Sequence, residues 1–185
     1  MTNQTSLLFV RHMETTGNGG DPPLNEHGPQ QLNELLPALR KYPISRVYSS
    51  DLWRAVEPAE VISKTLGVPR QSWSALREIR SGLEVPLPPN PTKNSSTARA
   101  PDSRGSSSGR EDIERFEERI AKAVDAIVAE SENCHVALVT HSGTIRAAIR
   151  HLLTLPLHSL DIPPIAHGGM VILTRDSSGT WNSRT

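Results

Sequence analysis

Four apolar residues, Leu7-Leu8-Phe9-Val10, run straight into Arg11-His12. A short apolar run of this kind reads as a buried strand. A buried strand that stops on two polar, potentially cationic side chains places them at a sheet edge, where open α/β folds bind ligands. Val136-Ala137-Leu138-Val139-Thr140 repeats the pattern and ends on His141. Strands that share a direction in a parallel sheet put their C-terminal ends on one edge, so His12 and His141 are expected to face each other across a pocket.

The segments between these runs alternate. The periodicity predicts a helix over about residues 26–40, capped by Asn25, with Leu32, Leu35, Leu36 and Leu39 on one face. Pro29 falls in its first turn, and Pro37 is placed to kink or shorten it. Val47-Tyr48-Ser49 reads as a short strand. Ser50 or Asp51 then caps a helix carrying Leu52, Ala55, Ala59, Ile62 and Leu66, which Gly67 ends. A brief strand follows near Val68–Ser72. Strand, helix, strand, helix, strand implies parallel pairing and an α/β fold with a mostly parallel sheet. At 185 residues a single domain is expected.

Residues 83–110 interrupt this order. Pro86, Pro88, Pro89 and Pro91 precede a run rich in Ser, Gly, Arg and Asn, the composition of a segment without a core of its own. It reads either as a lid whose Arg99, Arg104 and Arg110 meet an anionic substrate or as a solvated loop insertion. A capping-box pattern, Ser108-Gly109-Arg110-Glu111, opens a helix to about Glu130 with Ile113, Phe116, Ile120, Val124 and Ile127 in register. A helix over about Gly143–Leu153 follows the second histidine strand. Further strands are expected at Met170–Thr174 and near Trp181.

The formal net charge of +0 argues against a general nucleic-acid binder. Cys134 is the only cysteine, which excludes a disulfide framework and a cysteine-rich metal site. No basic segment precedes an apolar one at the N-terminus, and no apolar run approaches the ~18 residues of a membrane span. The expectation is a cytoplasmic monomer or homodimer without membrane partners.

The candidate residues suit phosphoryl transfer. A phosphate dianion needs several fixed donors, and Arg11 and Arg54 can each grip it bidentately. Arg54 lies one turn into the helix after the Val47–Ser49 strand, near the same sheet edge. The helix start at Ser142-Gly143 adds backbone donors. Neighbouring arginines disfavour an imidazolium, so His12 keeps a nucleophilic lone pair. Glu78, in Leu76-Arg77-Glu78, can protonate a leaving alkoxide, and a phosphate bound beside it favours its protonated form. His167 precedes the last long strand and is placed to line the pocket. His27, His135, His151 and His158 read as surface or packing residues.

The same residues resemble the histidine phosphatase superfamily, the phosphoglycerate mutase-like proteins. Arg11-His12-Met13-Glu14-Thr15 stands where the family has Arg-His-Gly-Glu-Thr/Ser, and Asn18 falls at the spacing of the family's following Asn. Leu24-Asn25-Glu26-His27-Gly28-Pro29-Gln30-Gln31, Val47 to Ala55, Leu76-Arg77-Glu78 with Gly82, and Val139 to Arg146 are similar to four further family segments in order. The resemblance implies a phosphoglycerate mutase-like three-layer α/β/α sandwich and a covalent phosphohistidine on His12. It also implies phosphate contacts from Arg11, Arg54, His141, Asn18 and Ser142, acid chemistry at Glu78, and no metal or other cofactor.

Two residues depart from the pattern. Met13 replaces a glycine, so either the turn has negative φ or the pocket differs, with Met13 as an apolar wall beside Thr15 and His167. Pro58 stands four residues after Arg54 and removes the helical bond to its carbonyl. The expected activity is hydrolysis of a small phosphate monoester, with substrate choice lying in residues 83–110 and around Met13. The alternatives are phosphoglycerate mutase-type transfer and a phosphate-binding pseudoenzyme, the latter motivated by Met13 and Pro58. A phosphohistidine-protein phosphatase, which would need an open, shallow site, is a further reading.

Overall fold

The two strands that end on histidine are hydrogen-bonded neighbours in the computed structural model, which describes residues 4–17, 20–80, 111–157, 159 and 162–184. Among the described residues the strands are β1 (Thr5–Arg11), β2 (Ile44–Ser50), β3 (Arg70–Trp73), β4 (His135–Thr140), β5 (Met170–Arg175) and β6 (Trp181–Arg184). The helices are α1 (Gly28–Leu39), α2 (Trp53–Leu66), α3 (Ile113–Glu130) and α4 (Ser142–Leu152), and a 3-10 turn covers Ser74–Leu76.

All six strands form one sheet in the order β3-β2-β4-β1-β5-β6. β3, β2, β4 and β1 run parallel, whereas β5 is antiparallel to β1 and β6 to β5. The expected mostly parallel sheet is present, with an antiparallel edge added. β4 inserts between β1 and β2, so Arg11 lies in register with Thr140, and the His12 amide donates to the Thr140 carbonyl at 2.8 Å. This pairing places the residues after β1 and β4 side by side.

Side-chain alternation along β1 builds two cores. Leu7 and Phe9 join Val136, Leu138, Phe116, Ile120, Val124 and Ile145 on the face covered by α3 and α4. Leu8 and Val10 join Ala137, Val139, Leu32, Leu35, Leu39, Ala59 and Ile62 on the face covered by α1 and α2. These are the layers of an α/β/α sandwich, and they explain why β1 and β4 read as unbroken apolar runs. Burying each such aliphatic or aromatic side chain is worth about 1.5–3 kcal/mol, and these contributions hold the strands under the site.

Helix starts differ from expectation where a cap comes from elsewhere in the chain. Asn25 does accept from the amides of His27 and Gly28, at 2.9 and 3.1 Å. Ser50 accepts only from the Leu52 amide, at 3.2 Å, and Asp51 forms an ion pair with Arg77. The first amides of α2 go instead to Asp21, described below. At α3 the cap is Asp112, which accepts from the Arg115 amide at 2.8 Å; Ser108 and the rest of 83–110 lie outside the described residues. Ile113 is exposed at the first position of α3, before its apolar stripe turns inward. α2 continues through Pro58 to Leu66 without interruption.

Candidate active site

His12 follows β1 directly and is almost wholly buried. Its Nδ1 donates to the carbonyl of Met13 at 2.7 Å. A carbonyl can only accept, so the neutral ring carries its proton on Nδ1 and its lone pair on Nε2. Burial holds the His12 pKa down, from 6.5 to about 4. Arg54, His167 and Arg11 push it the same way, against the hydrogen bond to Met13. Burial therefore contributes more than the two arginines that sequence reasoning invoked.

His141 follows β4 and faces His12, with ring centroids 5.2 Å apart at 63°. It is 1% exposed, and both of its ring nitrogens lack a hydrogen-bond partner among the described residues. Burial first, and then Arg54, His12, Arg11 and Arg119, keep its pKa well below the ordinary value. A buried polar group without a partner is costly, and two such atoms on a ring packed beside His12 suit a site built to meet a ligand.

A third imidazole joins them. The ring of His167 lies 5.2 Å from that of His12. Gly168, at φ 70°, turns the chain so that its amide reaches the carbonyls of Arg11 and His12, at 3.2 and 3.3 Å. A residue with a Cβ is strained in that left-handed conformation, which explains the Gly after His167. Arg11 donates through Nη2 to Nε2 of His167 at 2.8 Å and through Nη1 to the Ile165 carbonyl at 2.6 Å. His167 thus accepts in its neutral form and orients Arg11. Burial and Arg11 lower its pKa, and Glu14 opposes them.

Arg54, in the first turn of α2, is fixed by a residue that sequence reasoning missed. Asp21 accepts from the amides of Trp53 and Arg54, at 2.5 and 3.3 Å, and pairs with Arg54 Nη1 at 3.1 Å. Arg54 Nη1 also donates to the Gly20 carbonyl at 2.9 Å. One carboxylate therefore caps the helix and aims its guanidinium.

Glu78 reaches the site from the segment after the 3-10 turn. Its Oε2 accepts from the Gly143 amide at 2.8 Å, and its Oε1 from the Ile79 amide at 3.0 Å. A Cβ on residue 143 would overlap this carboxylate, so glycine there admits the acid to the start of α4. The Gly143 amide, expected to bind phosphate, is taken by Glu78 instead. Glu78 also offsets the burial of the Arg11 charge. Ser142 opens α4 beside His141 and is half-buried.

The remaining expected residues divide. Asn18 lies outside the described residues. Thr15 bridges to Leu24, and its hydroxyl donates to the Gly17 carbonyl at 2.9 Å, tying it into its own turn. Met13 is corrected: its side chain is fully buried in the α1/α2 core with Leu8, Val10 and Leu32, and does not form a pocket wall. Its φ is not positive, so no glycine is required there. Among the described residues no cluster suits a metal ion, and no helix is long and apolar enough to cross a membrane.

The depressed His12 pKa ties stability to pH. Above pH 6.5 the ring is neutral folded and unfolded. As pH falls toward 4, the unfolded chain takes up a proton that the folded site refuses, so stability declines. A shift from 6.5 to about 4 corresponds to about 3 kcal/mol. His12→Gln should therefore lose about 3 kcal/mol less than the native chain between pH 7 and 4. Urea unfolding at both pH values measures this, and equal losses in the two proteins would contradict it.

Known proteins resemble this chain in sequence and in fold. "Probable phosphoglycerate mutase GpmB" of Erwinia tasmaniensis is 28% identical over 165 residues, covering 83% of this chain and 77% of that protein. Among solved structures, YhfR of Bacillus stearothermophilus superposes with a TM-score of 0.77 at 24% identity, covering 98% of this chain and 96% of that one. A mycobacterial glucosyl-3-phosphoglycerate phosphatase gives 0.75 at 22% identity, covering 98% of both chains. The histidine phosphatase superfamily (branch 1) model matches residues 7–184, and the chain belongs to that family.

Proposed function

We propose that this protein hydrolyses small phosphate monoesters through a phosphohistidine on Nε2 of His12, without a metal. The observation that carries the reading is the Nδ1 hydrogen bond to Met13, which leaves Nε2 as the basic nitrogen in a site flanked by Arg11 and Arg54.

Nε2 attacks phosphorus as the ester oxygen departs with a proton from Glu78. The guanidiniums of Arg11 and Arg54 and an N–H of His141 stabilise the equatorial oxygens. Water then attacks the phosphohistidine, giving its proton to the Glu78 carboxylate. Inorganic phosphate leaves, and His12 returns to its neutral form. The substrate is a small phosphorylated metabolite of the cytoplasm.

Met13 and Pro58, the two departures that suggested a non-catalytic protein, are absorbed by the core and by an uninterrupted α2. Mutase-type transfer is the second reading, favoured by the name of the GpmB relative. Incubation with 3-phosphoglycerate and with a panel of sugar and alcohol phosphates separates the two. Hydrolysis predicts net release of inorganic phosphate from members of the panel. Interconversion of 3- and 2-phosphoglycerate without net release would overturn it.

A further inference from the structure

Besides the two bonds of its carboxylate, Glu78 is held through the main chain before it. The carbonyls just before it are engaged from three different elements. Thr140 of β4 donates to Leu76 at 2.7 Å, and Thr144 of α4 donates to Arg77 at 3.1 Å. Arg119 of α3 donates through a single nitrogen, Nη1, to both Ala75 and Arg77, at 2.8 and 3.1 Å.

Arg119 is itself fixed. Its Nε and Nη2 form a bidentate pair with Glu111, at 2.8 and 2.6 Å, and its guanidinium lies 5.2 Å from the Phe116 ring centroid. Both side chains of the pair are nearly buried. Glu111 extends the clamp beyond Glu78: its amide donates to the Arg80 carbonyl at 3.1 Å, and its carboxylate accepts from the Arg80 amide at 3.4 Å. Residues 75, 77 and 80 are thus tied, directly or through Glu111, to one guanidinium. Arg119 makes none of these bonds with the Glu78 carboxylate.

We propose that Arg119 is a positioning residue for the general acid, fixing through these main-chain carbonyls and Glu111 where Glu78 delivers its proton. The proposal rests on the reading of Glu78 as the acid. A proton donor works only within hydrogen-bond reach of the departing oxygen, and a misplacement of about 1 Å can cost on the order of 10²-fold. Lysine cannot replace this arrangement, because it lacks the planar fork that serves two carbonyls and a carboxylate together.

Leaving-group dependence of kcat/KM tests it, since that parameter reports phosphoryl transfer to His12. Phenyl phosphate needs its leaving oxygen protonated, whereas 2,4-dinitrophenyl phosphate releases a stable anion unaided. Glu78→Gln should lose roughly 10²–10³-fold on phenyl phosphate and under about 10-fold on the dinitrophenyl ester. Arg119→Gln should repeat that selectivity at smaller amplitude, about 10–100-fold against little change. Arg119→Lys, which keeps the charge, gives the same readout if the glutamine variant fails to fold. Equal losses on both esters in the Arg119 variants, beside a selective loss in Glu78→Gln, would overturn the positioning role alone. Equal losses in Glu78→Gln would remove the acid assignment and the positioning role with it.

Discussion

His12→Ala should abolish turnover, lowering kcat/KM on an aryl phosphate by roughly 10⁴-fold or more. The size of the effect follows from what the side chain supplies. No other group in the site presents a basic nitrogen so arranged. The lone pair of His167 Nε2 is engaged by Arg11. His141 is more deeply buried than His12, and its pKa is pushed well below the ordinary value. Neither can take over the attack without dismantling the anion site. The variant should still bind inorganic phosphate or vanadate, because Arg11, Arg54 and His141 remain. Retained binding with lost turnover separates a missing nucleophile from a collapsed pocket. Turnover within about tenfold of the native rate would exclude His12 as nucleophile.

Asp21→Ala should produce the largest loss of stability among the site substitutions, about 3 kcal/mol. Asp21 and Arg54 are both nearly buried, with side chains 8% and 13% exposed. Removing the carboxylate leaves a guanidinium uncompensated and the Trp53 amide without its 2.5 Å partner. Asp21→Asn divides these effects. The amide oxygen can still cap α2, recovering about 1 kcal/mol, while the charge facing Arg54 stays lost. Both variants should raise KM for phosphate esters, because Arg54 is no longer aimed. Urea unfolding and initial rates measure the two effects. A stability loss below about 0.5 kcal/mol in Asp21→Ala would show that the pair contributes nothing.

How much of this was legible in the sequence depends on how local each signal is. β1 and β4 are buried on both faces by α1, α2, α3 and α4, so they read as continuous apolar runs, and their ends marked His12 and His141. Arg54 followed from the helix after β2. What the sequence did not carry was the insertion of β4 between β1 and β2, which pairs residues as far apart as Ser6 with His135 and Val47 with Ala137. Nothing near Asp21 points to Trp53 and Arg54, and nothing near Arg119 points to Ala75 and Arg77. These are side-chain bonds to distant backbone, for which there is no periodicity to read. Met13 failed for a related reason. β1 ends at Arg11, so alternation no longer fixes which way the next residues face, and Met13 turned into the α1/α2 core. His167 was placed near the site by its position before β5, but its hold on Arg11 depends on the turn at Gly168.

The proposed function stands or falls on a phosphoryl group carried on Nε2 of His12. The most direct measurement is alkaline quenching of the enzyme during turnover of a phosphorus-labelled aryl ester, followed by peptide mapping. A phosphohistidine intermediate should give an acid-labile, alkali-stable label on the peptide containing His12, attached at Nε2, and absent from His12→Ala. Turnover with no such label, or a label on another residue, would contradict it.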